Sequence, residues 1–323
     1  MRFAITGSGT ISHRFAEAVA RIPGSEVSAV LSRTQARADA FAAEIGARRG
    51  YCDIERLLDD PAVDAVYIGV PNHLHPEQTL AALRHRKPVL CEKPAFCGER
   101  DAQRAVQAAR EGDTLLMEAL WTRTMPAYLR AREWIAQGRI GRLRAINATF
   151  CFYSDFNPAS RLYDPALGGS ALFDVGVYVL GFALGIAGGA PDAVQGMLHI
   201  CPTGVDDYAA MQLRFGDVIA TLNAGVSVRQ PGGAYVFGER GSIYLPAFWG
   251  ARHCELRDNS GALLDSFDDP TPEDLYREAV HFIDCCERGL KESPLMPLAD
   301  SLTLARLYDQ LRAQAGLAPV SFD

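Results

Sequence analysis

Eight cysteines occur without a CxxC pair, and neither an HExxH nor a clustered Cys/His spacing accompanies them. That excludes a structural zinc site and a redox dithiol, and leaves reduced thiols in the cytoplasm as the expectation. His73 and His75 form an HxH with no third ligand at a fitting spacing, so no metal is expected. A basic surplus is missing too: 32 Lys and Arg stand against 39 Asp and Glu, a formal net charge of −7. Such a background repels polyanions, and no nucleic-acid partner is expected. The chain passes from Met1-Arg2 directly into Phe3-Ala4-Ile5-Thr6 without the apolar core and cleavage site of a signal peptide, which again predicts a cytoplasmic protein. Long apolar runs are scarce. The charge-free stretch 175–191 holds a GxxxG at Gly181 and Gly185, yet it starts beside Asp174 and is diluted by five glycines. It falls short of the roughly 20 residues a membrane helix needs, so a buried helix and no membrane partner are expected.

What is present suffices for two domains: 323 residues, 48% hydrophobic and 22% charged, can bury a core in each. In the first third, β-type runs at 2–6, 26–31, 65–70, 88–91 and 114–117 alternate with helical spacings. Ile11, Phe15, Ala18, Val19 and Ile22 form one such set, and Ala38, Phe41, Ala42 and Ile45 another. The pattern predicts an α/β fold whose first domain, residues 1–122, is a doubly wound parallel Rossmann sheet. Beyond it come a helix at 126–137 and β-rich runs at 143–153, 208–215, 218–228 and 242–245. Short turns at Phe215-Gly216-Asp217 and Glu239-Arg240-Gly241 link neighbours. These predict a second α/β domain, 123–323, built on a large, open, mainly antiparallel sheet. Thr271-Pro272-Glu273-Asp274 reads as a helix start, and a last helix covers 298–315; both C-terminal helices can pack back on the first domain.

Gly7-Ser8-Gly9-Thr10-Ile11-Ser12 follows the first strand and opens the first helix. Glycines there permit a tight turn and let the N–H groups of Gly9, Thr10 and Ile11 approach a pyrophosphate at the positive end of the helix dipole. Ser12 stands where a third glycine or alanine is usual. An NAD-type site places an acid at the end of the second strand; this chain has Ser32-Arg33, with Glu26 at the opposite end of that strand. Arg33, and Arg37 one turn later, suit a 2′-phosphate, so NADP(H) is the expected cofactor. The competing reading makes both arginines solvated charges at a helix start.

Cys91-Glu92-Lys93-Pro94 ends a strand at its carboxyl edge, where open α/β sheets bind ligands, and the proline makes Lys93 project at the mouth of the crevice. Asp174 and Tyr178 lie at i and i+4 after Gly168-Gly169-Ser170, on one side of an apolar helix. They are either functional, or a structural ion pair and a packed ring.

Several stretches together resemble the Gfo/Idh/MocA oxidoreductase family, and within it the dimeric dihydrodiol dehydrogenase group. They are the GSGTIS loop, Val63-Asp64-Ala65-Val66-Tyr67-Ile68 followed by Pro71-Asn72 and His75, Cys91-Glu92-Lys93-Pro94, and Leu116-Met117-Glu118-Ala119-Leu120-Trp121-Thr122-Arg123. The later ones are the run from Gly168-Gly169-Ser170 to Asp174 and Tyr178, Thr203-Gly204-Val205-Asp206-Asp207, and Lys291-Glu292-Ser293-Pro294. The resemblance implies an active site between the two domains with Lys93 and Tyr178 catalytic and Asp174 nearby, and a homodimer formed through the C-terminal sheet. It also implies Pro71, Asn72, His75, Glu92, Arg123 and Arg161 near the nicotinamide end, and Trp121, Arg144 and Trp249 in the substrate pocket. Tyr178 replaces the histidine of many members and points away from inositol-dehydrogenase-like activity.

The implied reaction moves hydride between NADP(H) and a secondary alcohol or carbonyl of a small-molecule polyol, sugar or dihydrodiol. A phenol ordinarily titrating near 10 must fall to about 7 to act as base, at a cost of about 4 kcal/mol. One ammonium at about 4 Å contributes about that much at an effective dielectric of about 20. Lys93 is thus an adequate activator of Tyr178, with Asp174 orienting Lys93 or binding a second hydroxyl; Lys93 itself as base is the other option. In a different class, the family includes nucleotide-binding sensors without turnover, and the trio Lys93, Asp174 and Tyr178 speaks for catalysis.

Overall fold

A computed structural model of the protein describes residues 1–271 and 274–320. By its contacts the chain divides into two compact units: Met1–Ala119 with Leu275–Leu302, and Leu120–Asp274 with Thr303–Ser321.

In the first unit, β1 (Arg2–Thr6), α1 (Thr10–Ala20), β2 (Glu26–Leu31), α2 (Gln35–Ile45), β3 (Arg49–Tyr51) and α3 (Ile54–Leu58) come first. Next are β4 (Ala65–Ile68), α4 (His75–Arg84), β5 (Val89–Glu92), α5 (Glu99–Glu111) and β6 (Leu116–Ala119). The strands pair in parallel in the order β3-β2-β1-β4-β5-β6. β4, β5 and β6 are buried at every residue, as a sheet covered on both faces requires. The strand expected at 65–70 ends at Ile68, and the Gly69 N–H makes the last ladder bond, to the Thr6 carbonyl (2.9 Å). The last expected strand begins two residues later than predicted, at Leu116. β3, with the sequence Arg-Gly-Tyr, offers no apolar pattern to find.

In the second unit, α6 (Pro126–Ala136), β7 (Leu143–Cys151) and α7 (Val177–Ala187) precede β8 (Ala193–Ile200), β9 (Asp206–Phe215), β10 (Val218–Gly225) and β11 (Gly233–Gly238). They are followed by β12 (Gly241–Leu245), β13 (His253–Asp258) and β14 (Leu263–Asp268). The eight strands run in the order β14-β13-β12-β11-β7-β10-β9-β8. All neighbours are antiparallel except β7 and β10, which pair in parallel. Alternate residues such as Ile146, Ala148, Met211, Leu222 and Val236 are buried, while α7 packs on β7 and β10, and α6 on β12 to β14.

α7 is the expected buried helix, extended by a π-helical turn at Leu172–Gly176. The apolar segment Pro165–Ala187 is long enough to cross a membrane, but 83% of its most apolar window is buried inside the protein. Its GxxxG serves contacts within the same unit: a Cβ at Gly181 would strike the Leu120 side chain, and one at Gly185 the Tyr128 hydroxyl and the Arg123 guanidinium.

Two further helices, α8 (Asp274–Glu287) and α9 (Leu298–Gln314), close the chain. Pro272 and Glu273 of the expected helix start lie outside the described residues. Phe282 of α8 packs against Phe3 of β1, ring centroids 6.0 Å apart, and Ala279, Ile283 and Cys285 join Phe15, Tyr67, Leu90 and Met117 in the core of the first unit.

Candidate active site

In the first unit the strand order reverses between β1 and β4, and ligands of open α/β sheets bind at such a switch point, beyond the carboxyl ends of the strands. Gly7 leaves β1 with φ 94°, and a Cβ there would lie 2.6 Å from the Gly69 carbonyl oxygen. Only glycine fits, on conformation and on space. Its N–H bonds the Leu31 carbonyl (2.9 Å), tying the loop to the end of β2. Gly9 is the N-cap of α1; no side chain caps that end, and a Cβ on Gly9 would meet open space. The exposed Ser8-Gly9-Thr10 stretch, with Ile11 half-buried behind it, therefore fits a phosphate group approaching the first turn of the helix. Ser12 at the third-glycine position has a simple reason. It is fully buried, and a Cβ on Gly69 would stand 2.9 Å from its hydroxyl, so Gly69 gives up the volume that Ser12 takes.

Ser32 follows β2, its N–H bonded to the Tyr51 carbonyl (3.0 Å). Arg33 comes next, and Thr34 caps α2, accepting from the Arg37 N–H at 3.4 Å. Arg33 and Arg37 are exposed, and no ion pair of either occurs among the described residues. No carboxylate follows β2; Glu26, at its other end, pairs with Arg48 at 2.7 Å.

At the carboxyl ends of β4 and β5 the structure brings Pro71, Asn72, His75, Glu92 and Lys93 together. Pro71 leads into a 3-10 turn, Asn72–Leu74, and Lys93-Pro94 is a cis peptide. The Glu92 carboxylate is buried; it accepts from the Tyr67 hydroxyl (2.6 Å) and from the Lys93 N–H (3.2 Å). Burial raises its pKa against the pull of Tyr67, Lys93 and Arg14. Burial pushes the Tyr67 phenol far up, with Glu92 adding to it. His75 is 1% exposed, its Nδ1 2.9 Å from the Pro94 carbonyl and its Nε2 2.9 Å from the Val70 carbonyl. Burial lowers its pKa although both carbonyls favour the cation, and the ring links the loops after β4 and β5.

The second unit gathers Tyr178, Trp121 and Trp249. Tyr178, 4% exposed, lies 5.9 Å from Trp121 and 5.4 Å from Phe150 by ring centroids, and Phe150 stacks on Trp249 at 4.1 Å. Trp121 Nε1 and Thr122 Oγ1 both donate to the Trp249 carbonyl, at 2.5 and 2.8 Å. Phe150 escaped the sequence reading: on β7 it is one aromatic in an alternating strand, and only the return of the chain at 249 gives it a partner. Asp174 sits in the π-helical turn with its side chain 11% exposed and bonds Arg161 Nη1 at 2.7 Å. The turn is held by Asp206, fully buried, which accepts from Ser170 Oγ (2.5 Å) and the Leu172 N–H (2.7 Å). Burial raises the Asp206 pKa against those bonds.

Arg144 is not brought to this group. It is six residues from Phe150 on an extended strand, about 20 Å away, with its guanidinium 4.0 Å from Glu239. Arg123 is buried, donating to the Gly181 carbonyl (3.0 Å) beneath α7.

Fold and loop together define a dinucleotide-binding α/β protein. Residues 1–120 match the model of an oxidoreductase family with an NAD-binding Rossmann fold, and residues 128–244 match the GFO/IDH/MocA C-terminal domain. The chain belongs to the Gfo/Idh/MocA oxidoreductase family. It is 33% identical to a trans-1,2-dihydrobenzene-1,2-diol dehydrogenase of Danio rerio, covering 98% of this chain and 97% of that protein. It is 31% identical to a scyllo-inositol 2-dehydrogenase (NADP(+)) of Bacillus subtilis (strain 168), covering 98% of each. Among solved structures, a 3-ketoreductase from Actinomadura kijaniata in complex with NADP and TDP-benzene superposes with a TM-score of 0.84 at 27% identity, covering 97% of each chain.

Proposed function

We propose that the protein is a cytoplasmic, NADP(H)-dependent oxidoreductase that moves hydride between the nicotinamide and a secondary alcohol or carbonyl of a diol or aldose. In this reading residues 1–122 hold the cofactor and residues 123–323 the substrate and a dimer interface. The observation that carries it is the carboxyl edge of the parallel sheet. There the glycine loop follows β1, Arg33 and Arg37 follow β2 with no ion pair among the described residues, and Lys93 follows β5. Gly7, Gly9, Thr10 and Ile11 would receive the pyrophosphate, and Ser32, Arg33 and Arg37 the 2′-phosphate, with Pro71, Asn72 and Glu92 toward the nicotinamide. NADP(H), when bound, supplies or accepts the hydride. In this reading Tyr178 would exchange the hydroxyl proton at its phenol oxygen, with Lys93 assigned as the cation that favours the phenolate. Trp121, Phe150 and Trp249 supply the apolar ring faces on which a sugar or dihydrodiol ring rests, and Asp174 with Arg161 offers polar groups to a second hydroxyl. The dihydrobenzenediol dehydrogenase relative supports a diol substrate, and the scyllo-inositol 2-dehydrogenase keeps a cyclic polyol in view despite Tyr178; that relative and the ketoreductase support NADP(H).

The test is reduced-nicotinamide absorbance with NADP⁺ and a panel of aldoses and diols, run on the wild type, Tyr178→Phe and Lys93→Met. Turnover by the wild type and losses of roughly 10²- to 10⁴-fold in both variants, with NADPH affinity kept, are expected. Full activity in Tyr178→Phe moves the proton to Lys93 or water. Cofactor binding with no turnover on any substrate makes the protein a sensor.

A further inference from the structure

The segment carrying Lys93 cannot hold itself in place. Pro94 has no N–H, so the donors around Lys93 are its own amide and that of Ala95, and both end on buried carboxylates. The Lys93 N–H meets Glu92 Oε2 at 3.2 Å, and the Ala95 N–H meets Glu118 Oε1 at 3.0 Å. The carbonyl between them, that of Pro94, faces His75 Nδ1. Glu118, on β6, is 3% exposed, and its second oxygen accepts from Ser301 Oγ at 2.6 Å; Ser301 on α9 is itself 3% exposed. One carboxylate therefore ties the peptide two residues past the lysine to Ser301, in the first turn of α9 that belongs to the same unit. Glu92, covalently next to Lys93, is tied to Tyr67 of β4 and holds the lysine's own amide. Glu118 comes from a different strand and can fix the turn against the sheet.

We infer that Glu118 is a positioning residue for Lys93: its carboxylate, braced by Ser301, anchors the Ala95 amide and so sets where the lysine amine stands. The inference rests on the proposed role of Lys93 for its catalytic meaning, but its geometric content is separate. Glutamine at 118 keeps the arrangement, since its oxygen accepts from Ala95 and its amide donates to a rotated Ser301 hydroxyl. Alanine or methionine leaves the buried Ala95 N–H without that acceptor.

The chain has three lysines, Lys87, Lys93 and Lys291, so reductive methylation with ¹³C-formaldehyde gives three lysine NMR signals, that of Lys93 assigned by its loss in Lys93→Met. In full-length Glu118→Ala and Glu118→Met the Lys93 signal should shift while those of Lys87 and Lys291 stay; in Glu118→Gln all three should stay. Methionine fills the volume and serves if the alanine variant does not fold. With NADP⁺ and the best substrate of the aldose and diol panel, kcat should fall about 10- to 100-fold in the methionine variant, as an angstrom-scale misplacement can do. KM for NADP⁺ should stay within about threefold. In the oxidation direction the acidic limb of the kcat profile, which reports deprotonation of the base, should move to higher pH as the misplaced amine no longer favours the phenolate. An unmoved Lys93 signal in folded Glu118→Met, or an equal shift in Glu118→Gln, overturns the inference. Full activity in Lys93→Met instead overturns the catalytic reading and leaves the signal test standing.

Discussion

Arginine is the habitual cation of this chain: of its 32 basic residues only three are lysine. Position 93 uses the compact ammonium, a point charge on a flexible stem, whereas 33 and 37 use the planar fork that fits phosphate. Each choice matches the part proposed for it. A charge-assisted hydrogen bond contributes about 1.5 to 3 kcal/mol, so Arg33→Ala should raise the Kd for NADPH by roughly ten- to a hundredfold and leave NADH unchanged. Titrating cofactor fluorescence reads both, and equal losses would remove the 2′-phosphate from the account. Such residues were legible because they sit next to a strand end whose position the apolar pattern already gave. Phe150 and Glu118 were not, since their meaning comes from Trp249 and Ala95, partners fixed only by folding.

Among the elements, apolar pattern located β1, β2 and α7 well, because full burial leaves a run without charges. β8, β13 and β14 went unread, since few of their residues are fully buried and Gln195, Glu255, Arg257 and Asp265 break up the apolar runs. The π-helical turn at Leu172–Gly176 was also invisible: a spacing argument assumes the α-helical period throughout. The paired glycines before that turn now have a mechanical meaning. A Cβ on Gly169 would lie 2.8 to 2.9 Å from the Asp164 nitrogen and the Asp164 and Leu162 carbonyl oxygens, all backbone atoms that cannot rotate away. Gly169→Ala should cost about 1 to 3 kcal/mol in urea unfolding. Unchanged stability would show that the 162–164 loop yields freely. Asp174 is carried on the turn that this loop braces, so the same variant should also weaken its pair with Arg161.

For the molecule as a whole, the mainly antiparallel sheet of the second unit presents Met197, 83% exposed, Ile219 and Tyr235 among its solvent-facing residues. If dimers form through this sheet, Met197→Glu combined with Ile219→Glu should shift sedimentation from dimer toward monomer at micromolar concentration, and an unshifted boundary would assign the contact elsewhere. The two-unit division has another consequence, for synthesis. The first unit begins at residue 1, yet Phe282 and its neighbours on α8 complete the core around Phe3. Ribosomes add about 5 to 20 residues per second, so the nascent parallel sheet waits on the order of ten seconds, with the part of one face that α8 covers still open beside α1, while the whole intervening unit is made. A messenger truncated before codon 275 would release a product with that face open, and such a fragment is a substrate for chaperones and proteases before it is anything else.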